Sequence, residues 1–280
     1  MNNRAVGMRE NRSGTVPFLS FPLLDDLGIV TDAFSTREGG VSQGIYATLN
    51  FAMNRTDDPA AVRENYKRMA ETLGVTPDKM VLSHQTHTTN IRPVTLADAG
   101  KGVTRPRDYE DVDGLVTDVP GLMLVTSFAD CVPLYFVDPV RRAIALSHSG
   151  WRGTVNRMGQ VTVERMRRQF GSRPEDLFAA IGPCICKDCY EVDETVAEGF
   201  RAHFPEKQIP RFLRPGREGH YQLDLPEANR LILEDAGILP EHLAMSGLCT
   251  CCEPERFFSH RASHGQRGNL CAFLMLRATA

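Results

Sequence analysis

The chain has one tryptophan in 280 residues, no marked excess of either charge, and no apolar run approaching the length of a membrane span. Each scarcity excludes something. A formal net charge of −3 with an isoelectric point near 6.3 lacks the clustered Lys/Arg excess that nucleic acids and anionic lipid surfaces need. Neither class of partner is expected. The first twenty residues, MNNRAVGMRENRSGTVPFLS, have no apolar core of the kind a secretory signal needs, so a cytoplasmic location is expected. Without a long Ser/Pro/Gly linker or an internal repeat, the chain reads as a polar extension over 1–20 and one domain over 21–280.

What is present begins with a hydrophobic content of 42%, enough for a substantial core. Four helices are signalled. One follows Asp57 or Asp58 with Pro59 in its first turn and Gly74 at its exit; a second runs from Thr154 to Phe170 and closes at Gly171. The third spans roughly Asp193 to Phe204, and the fourth starts at Asp224 and stops near Gly237. Between them lie short β-branched or apolar runs: MVL, LMLVTSF, PLYFV, RAIALS, LFAAIG and LCAFLML. The stretch Asp138–Arg141 between PLYFV and RAIALS has tight-turn composition and predicts an antiparallel hairpin. The intervals Asp98–Asp113 and Pro205–Tyr221 read as charged surface loops. The expected fold is mixed α/β, a layered mixed β-sheet core flanked by helices in a single domain.

Eight cysteines in a reducing compartment are better read as thiols or metal ligands than as a disulfide framework. Three apolar runs end in metal-capable residues: VLSHQTH carries His84 and His87, TSFADC carries Cys131, and ALSHSGW carries His148. Strand ends converge at sheet rims, where distant side chains can meet. Imidazole and thiolate are zinc donors, and three protein ligands leave a fourth position for water. The same residues also suit nucleophilic chemistry, with Cys131 attacking, His148 or His84 as base, and Asp130 orienting that base. Spacing does not separate the two.

The blocks FSTREGGVSQGIYATLNFAMNRTDDPAAVRENYKRM, LSHQTH, DVDGLVTDVPGLMLVTSFADCVPL, ALSHSGWRGT, IGPCICKDCYEVD and FFSHR resemble, in that order, the signature blocks of the YfiH/YlmD-like laccase-domain family. The resemblance runs from about Phe34 to the C terminus. It implies a CNF/YfiH-like fold layered α/β/β/α, with a zinc ion on His84, Cys131 and His148 as the catalytic centre. It also implies phosphorolysis of adenosine, inosine and methylthioadenosine, together with adenosine deamination, so that purine nucleosides and phosphate are the expected partners of a monomer or weak homodimer. Members of the family also carry the labels of copper polyphenol oxidase and of a peptidoglycan-editing factor, the latter suggesting a Cys-dependent hydrolase. Thiolate and imidazole suit copper as well as zinc.

Around that centre, Arg37, Arg152 and Arg261 are the candidate phosphate or substrate contacts. Gly150 and Gly153 suggest a tight turn into a helix whose amides face an anion. His87 is expected to touch substrate or to support the ligands, since a fourth protein ligand would close the site. Asp113 and Asp118 could serve as acid/base groups, although Asp beside Gly is ordinarily turn chemistry. Where many relatives carry Tyr, the last block has His260; Ala262 follows in place of a second Arg. The cysteine groups Cys184/Cys186/Cys189 and Cys249/Cys251/Cys252 read as packed or redox-active thiols in preference to a second zinc site, which would need four of them to converge.

Overall fold

The computed structural model describes residues 7–53 and 55–278. Its strands are β1 (Arg9–Asn11), β2 (Phe18–Ser20), β3 (Val30–Ser35), β4 (Met80–Leu82), β5 (Ile91–Pro93), β6 (Gly114–Thr117), β7 (Met123–Phe128), β8 (Val132–Asp138), β9 (Ala143–Ser149), β10 (Phe178–Ile181), β11 (Glu191–Asp193), β12 (Leu213–Pro215), β13 (His220–Leu223), β14 (Leu243–Met245) and β15 (Leu270–Leu276). Its helices are α1 (Pro22–Asp25), α2 (Pro59–Thr72), α3 (Trp151–Val155), α4 (Met158–Phe170), α5 (Glu194–His203), α6 (Ile209–Phe212) and α7 (Leu225–Asp235).

Two six-stranded sheets form the centre, ordered β1-β2-β3-β15-β7-β4 and β14-β10-β8-β9-β6-β5. Both are mixed: β4 runs parallel to β7, β5 to β6 and β14 to β10, among otherwise antiparallel neighbours. The run LCAFLML of β15 is apolar throughout because its sheet is covered on both faces. Leu270, Ala272, Leu274 and Leu276 point into the core shared by the two sheets, whereas Cys271, Phe273 and Met275 meet α2 through Val62, Tyr66 and Met69. Strand β8 does the same in the other sheet: Tyr135 and Val137 face the sheet–sheet core, and Leu134 and Phe136 face α4 and α7 through Val163, Met166, Leu231 and Ile232. The layers are therefore helix, sheet, sheet, helices. Burying each such Leu or Phe side chain contributes about 1.5–3 kcal/mol.

Local signals explain most boundaries. Asp58, Asp193 and Asp224 accept from backbone N–H groups at the starts of α2, α5 and α7. The β8–β9 hairpin forms as expected, with Asp138 Oδ1 accepting from Val140 and Arg141 N–H. The helix expected from Thr154 starts earlier and breaks in two at Asn156 and Arg157; Arg157 takes a left-handed conformation at the entry to α4, and Gly171 another at its exit. The interval Pro205–Tyr221 is not a loop: it supplies α6, β12 and part of β13, and β12, β13 and β11 make a third, small sheet. Residues 9–11 and 18–20 pair as β1 and β2 with the first sheet, which joins this part of the expected extension to the domain. Among the described residues no helix is long and apolar enough to cross a membrane.

Candidate metal centre

Register brings the site together. In the β8–β9 pair Pro133 lies opposite His148, so Cys131, just before β8, sits at the same end of the hairpin as His148. Strand β6 pairs with β9 through Gly114 and Ser147, and the His148 N–H donates to the Asp113 carbonyl at 2.8 Å. Asp113 thereby lies beside His148 in both backbone and side chain.

The Asp113 carboxylate, fully buried, is the hub. Its oxygens accept from the backbone N–H groups of Thr86, His87 and Thr88 at 3.1, 3.0 and 2.9 Å, and from Thr88 Oγ1 at 2.9 Å. They also lie 2.8 Å from Nδ1 of His148. Burial alone would raise its pKa; the hydrogen bond and charge of His148 and the N–H groups of Thr88 and Thr86 outweigh that and bring it down to about 2. An ionised carboxylate only accepts, so Nδ1 of His148 carries the proton and Nε2 is left for a metal.

Wrapped around Asp113, the chain after β4 turns sharply at His87, whose φ is 66°. That turn delivers His87 to the other two donors. Nε2 of His87 lies 3.9 Å from Cys131 Sγ, and the His87 and His148 rings meet edge-on with centroids 5.0 Å apart. The donor atoms of His87, Cys131 and His148 all lie within 4.8 Å of one another. Two imidazole nitrogens and a thiolate sulfur at such separations suit an ion bonded at about 2.0–2.3 Å to each. Burial works against the Cys131 thiolate, but His148 and His87 prevail and lower its pKa to about 6. For His148, burial disfavours the charged form, yet Cys131 and Asp113 push its pKa up to about 9, so an ion binding at Nε2 would displace a proton from that nitrogen.

Of the expected trio, Cys131 and His148 lie in this donor group. His84 continues β4 in extended form, bridging Val112. It lines the same cavity, with Nδ1 buried and lacking a hydrogen-bond partner among the described residues, but it does not join the donor group. His87, expected only to support the ligands or touch substrate, takes its place. The nucleophile reading loses its orienting group: Asp130, φ 87°, is engaged by Thr250 Oγ1 at 2.7 Å and by the Arg261 N–H at 2.7 Å, and it is Asp113 that holds the histidine.

A cavity of about 260 Å³ opens over the donors. Its cations are Arg55, Arg107 and Arg267, and Phe51 and Phe128 give it apolar wall. None of the three arginines singled out from the sequence lines it. Arg37 donates to the Ala47 and Pro254 carbonyls and lies over the Phe258 ring; Arg152 lies over Trp151; the Arg261 guanidinium donates to the Cys189 and Glu191 carbonyls. Gly150 is needed for space: its φ is an ordinary −75°, but a Cβ there would stand 2.8 Å from His87 Cδ2 and 3.1 Å from Cys131 Sγ. Helix α3 has only five residues, too short for the expected anion-binding dipole. Arg55, Arg107 and Arg267 carried no motif of their own in the sequence. The role of Asp113 had only its place in DVDG as a signal, which turn chemistry explains equally well.

Comparison with known proteins agrees with this architecture. A family model described as "Multi-copper polyphenol oxidoreductase laccase" matches residues 31–277. The chain is 37% identical over 252 residues to "Purine nucleoside phosphorylase YlmD" of Bacillus subtilis, covering 89% of each chain. It is 36% identical over 233 residues to "Adenosine deaminase RL5" of an unknown prokaryotic organism, covering 82% of this chain and 88% of that one. The crystal structure of the Bacillus licheniformis hypothetical protein YfiH superposes with a TM-score of 0.90 at 36% identity, covering 96% of this chain and 99% of that one.

Proposed function

Since the chain belongs to the laccase-domain family of multi-copper polyphenol oxidoreductase description, we propose that it is a zinc-dependent purine nucleoside phosphorylase that also deaminates adenosine, with the metal on His87, Cys131 and His148. The observation that carries this reading is the N2S donor group at the wall of an open cavity that also holds three arginines. The names of similar proteins, phosphorylase and adenosine deaminase, supply the substrate class. Methylthioadenosine and inosine are included as purine nucleosides of the same shape, and a cytoplasmic location keeps the thiols reduced.

Held by His87, Cys131 and His148, a zinc ion would supply Lewis acidity and would favour the ionisation of water. The rest is assigned to the chain's own residues. Arg55, Arg107 and Arg267 bind phosphate in place of Arg37, Arg152 and Arg261. Arg267 suits the task because its Nε is buried without a partner among the described residues, so an anion would gain a charge-assisted bond in a poorly solvated place. In phosphorolysis a phosphate oxygen bonds the ribose C1′ as the glycosidic C–N bond breaks, and the leaving purine takes a proton. His84, which lines the cavity with Nδ1 buried, is assigned to hand over that proton from Nε2. Phe51 and Phe128 give the purine ring apolar contact.

The family description points to copper oxidation, and a thiolate with two imidazoles accepts copper. Several coppers would need more imidazoles than are grouped here: among the described residues one donor group has two histidines and the other has none. Incubation with adenosine and phosphate is expected to yield adenine and ribose 1-phosphate, with inosine formed whether or not phosphate is present. Neither product, from protein carrying one zinc in this centre, would overturn the proposal.

A further inference from the structure

The second cysteine-rich region converges, against the expectation of scattered thiols. Residues 182–190 and 246–261 run alongside each other, joined by a bridge between Cys184 and Cys249 in which Thr250 N–H donates to the Cys184 carbonyl at 3.1 Å. Each segment then turns through a Cys-x-x-Cys: Cys186-Lys-Asp-Cys189, where Cys189 N–H returns to the Cys186 carbonyl at 3.1 Å, and Cys249-Thr-Cys-Cys252. The sulfurs of Cys186, Cys189, Cys249 and Cys252 lie within 4.8 Å of one another, with Cys189 and Cys252 at 3.4 Å and Cys186 and Cys252 at 3.9 Å.

We propose that Cys186, Cys189, Cys249 and Cys252 form a closed tetrathiolate site for one zinc ion that clasps these two segments together. Paired Cys-x-x-Cys turns are the spacing such sites use, and four sulfurs leave no open position, so this ion has no catalytic role. The backbone is arranged for thiolate: the N–H groups of Cys186 and Cys252 both donate to Cys249 Sγ, at 3.2 and 3.4 Å. Two amides aimed at one sulfur offset the negative charge a four-thiolate site accumulates. Two thiols would serve for a disulfide; here four meet, two from each turn.

The clasp has a consequence for the first centre. Both segments attach to Asp130, the neighbour of Cys131: Ile185 N–H donates to its carbonyl at 3.0 Å, and Thr250 Oγ1 and Arg261 N–H to its carboxylate. Arg261 ties back across them through the Cys189 and Glu191 carbonyls. Holding the two turns together fixes the corner from which Cys131 projects.

The test is zinc stoichiometry on the full chain purified under reducing conditions. Wild type is expected to carry two zinc ions, Cys252→Ser one, and His87→Ala one. Cobalt exchanged into His87→Ala should show the intense thiolate-to-cobalt absorption of a tetrahedral four-sulfur site. Because Cys252→Ser could unfold the segment, wild type provides a second reading: mercurial titration should release zinc in step with these four thiols. One zinc in wild type and none in His87→Ala, iron in place of zinc, or a Cys186/Cys189-to-Cys249/Cys252 disulfide in peptides from the reduced preparation would each overturn the proposal. Failure of the nucleoside assays would leave it standing, since its readout is metal content.

Discussion

Asp113 holds His148 by a 2.8 Å contact to Nδ1 and, with the same carboxylate, gathers the turn that carries His87. One buried side chain thus sets the orientation of one proposed metal donor and the position of another. Asp113→Asn keeps the volume but loses the charge and half of the accepting capacity. Metal affinity is expected to fall on the order of 10–100-fold, measured by competition with a chromophoric zinc chelator. Unchanged affinity would mean that the turn and the ring are held by something else.

His84 and His87 should separate in opposite ways. His87→Ala is expected to lose the ion of the first centre, whereas His84→Ala should keep it and lose turnover by roughly 10²–10⁴-fold, the range for a general acid or base. Metal analysis beside product chromatography decides this, and loss of that ion in His84→Ala with retention in His87→Ala would reverse the assignment.

Arg267→Met should weaken phosphate binding by about 1.5–3 kcal/mol, the worth of a hydrogen bond to a charged group, seen as a KM for phosphate raised roughly 10–100-fold. Deamination, which needs no phosphate, should change little. Equal losses in both reactions would show that Arg267 shapes the cavity and does not bind the anion.

Gly150→Ala puts a methyl group against His87 and Cys131 at a position of ordinary backbone conformation. The expected result is weaker metal binding with a melting temperature, measured on metal-stripped protein, close to that of stripped wild type. A large drop in stability with intact metal affinity would place the clash elsewhere.

Asp32 on β3 is buried, with Phe21 N–H on one oxygen at 2.8 Å and no partner among the described residues on the other. Burial, opposed by the Phe21 N–H and reinforced by Asp25, pushes its carboxyl up to about 8. The folded chain therefore keeps it neutral where the unfolded chain, near pH 4, has already released the proton. Its contribution to stability is fully present below about pH 4 and is lost as pH rises toward 8, at up to about 1.4 kcal/mol per pH unit. Asp32→Asn should flatten this fall, read as urea midpoints at pH 5 and pH 8; parallel curves for both proteins would count against it.

Much of this protein was determined by the sequence alone. Asp58, Asp193 and Asp224 mark helix starts because a short side-chain oxygen can satisfy free amides only there. The apolar runs of β7, β8, β9 and β15 mark strands because buried sheets need apolar residues on both faces. Cys131 and His148 were legible as donors because each ends such a run. Only the tertiary structure shows that His87, and not His84, is grouped with Cys131 and His148: the grouping depends on a left-handed turn wrapped around Asp113, a residue 26 positions away from His87, and spacing along a chain does not encode such a turn. The same holds for the arginines and the four cysteines. Which cations face the cavity, and which sulfurs meet, follows from how loops from separate strands are packed together, and that is a property of the folded sheets.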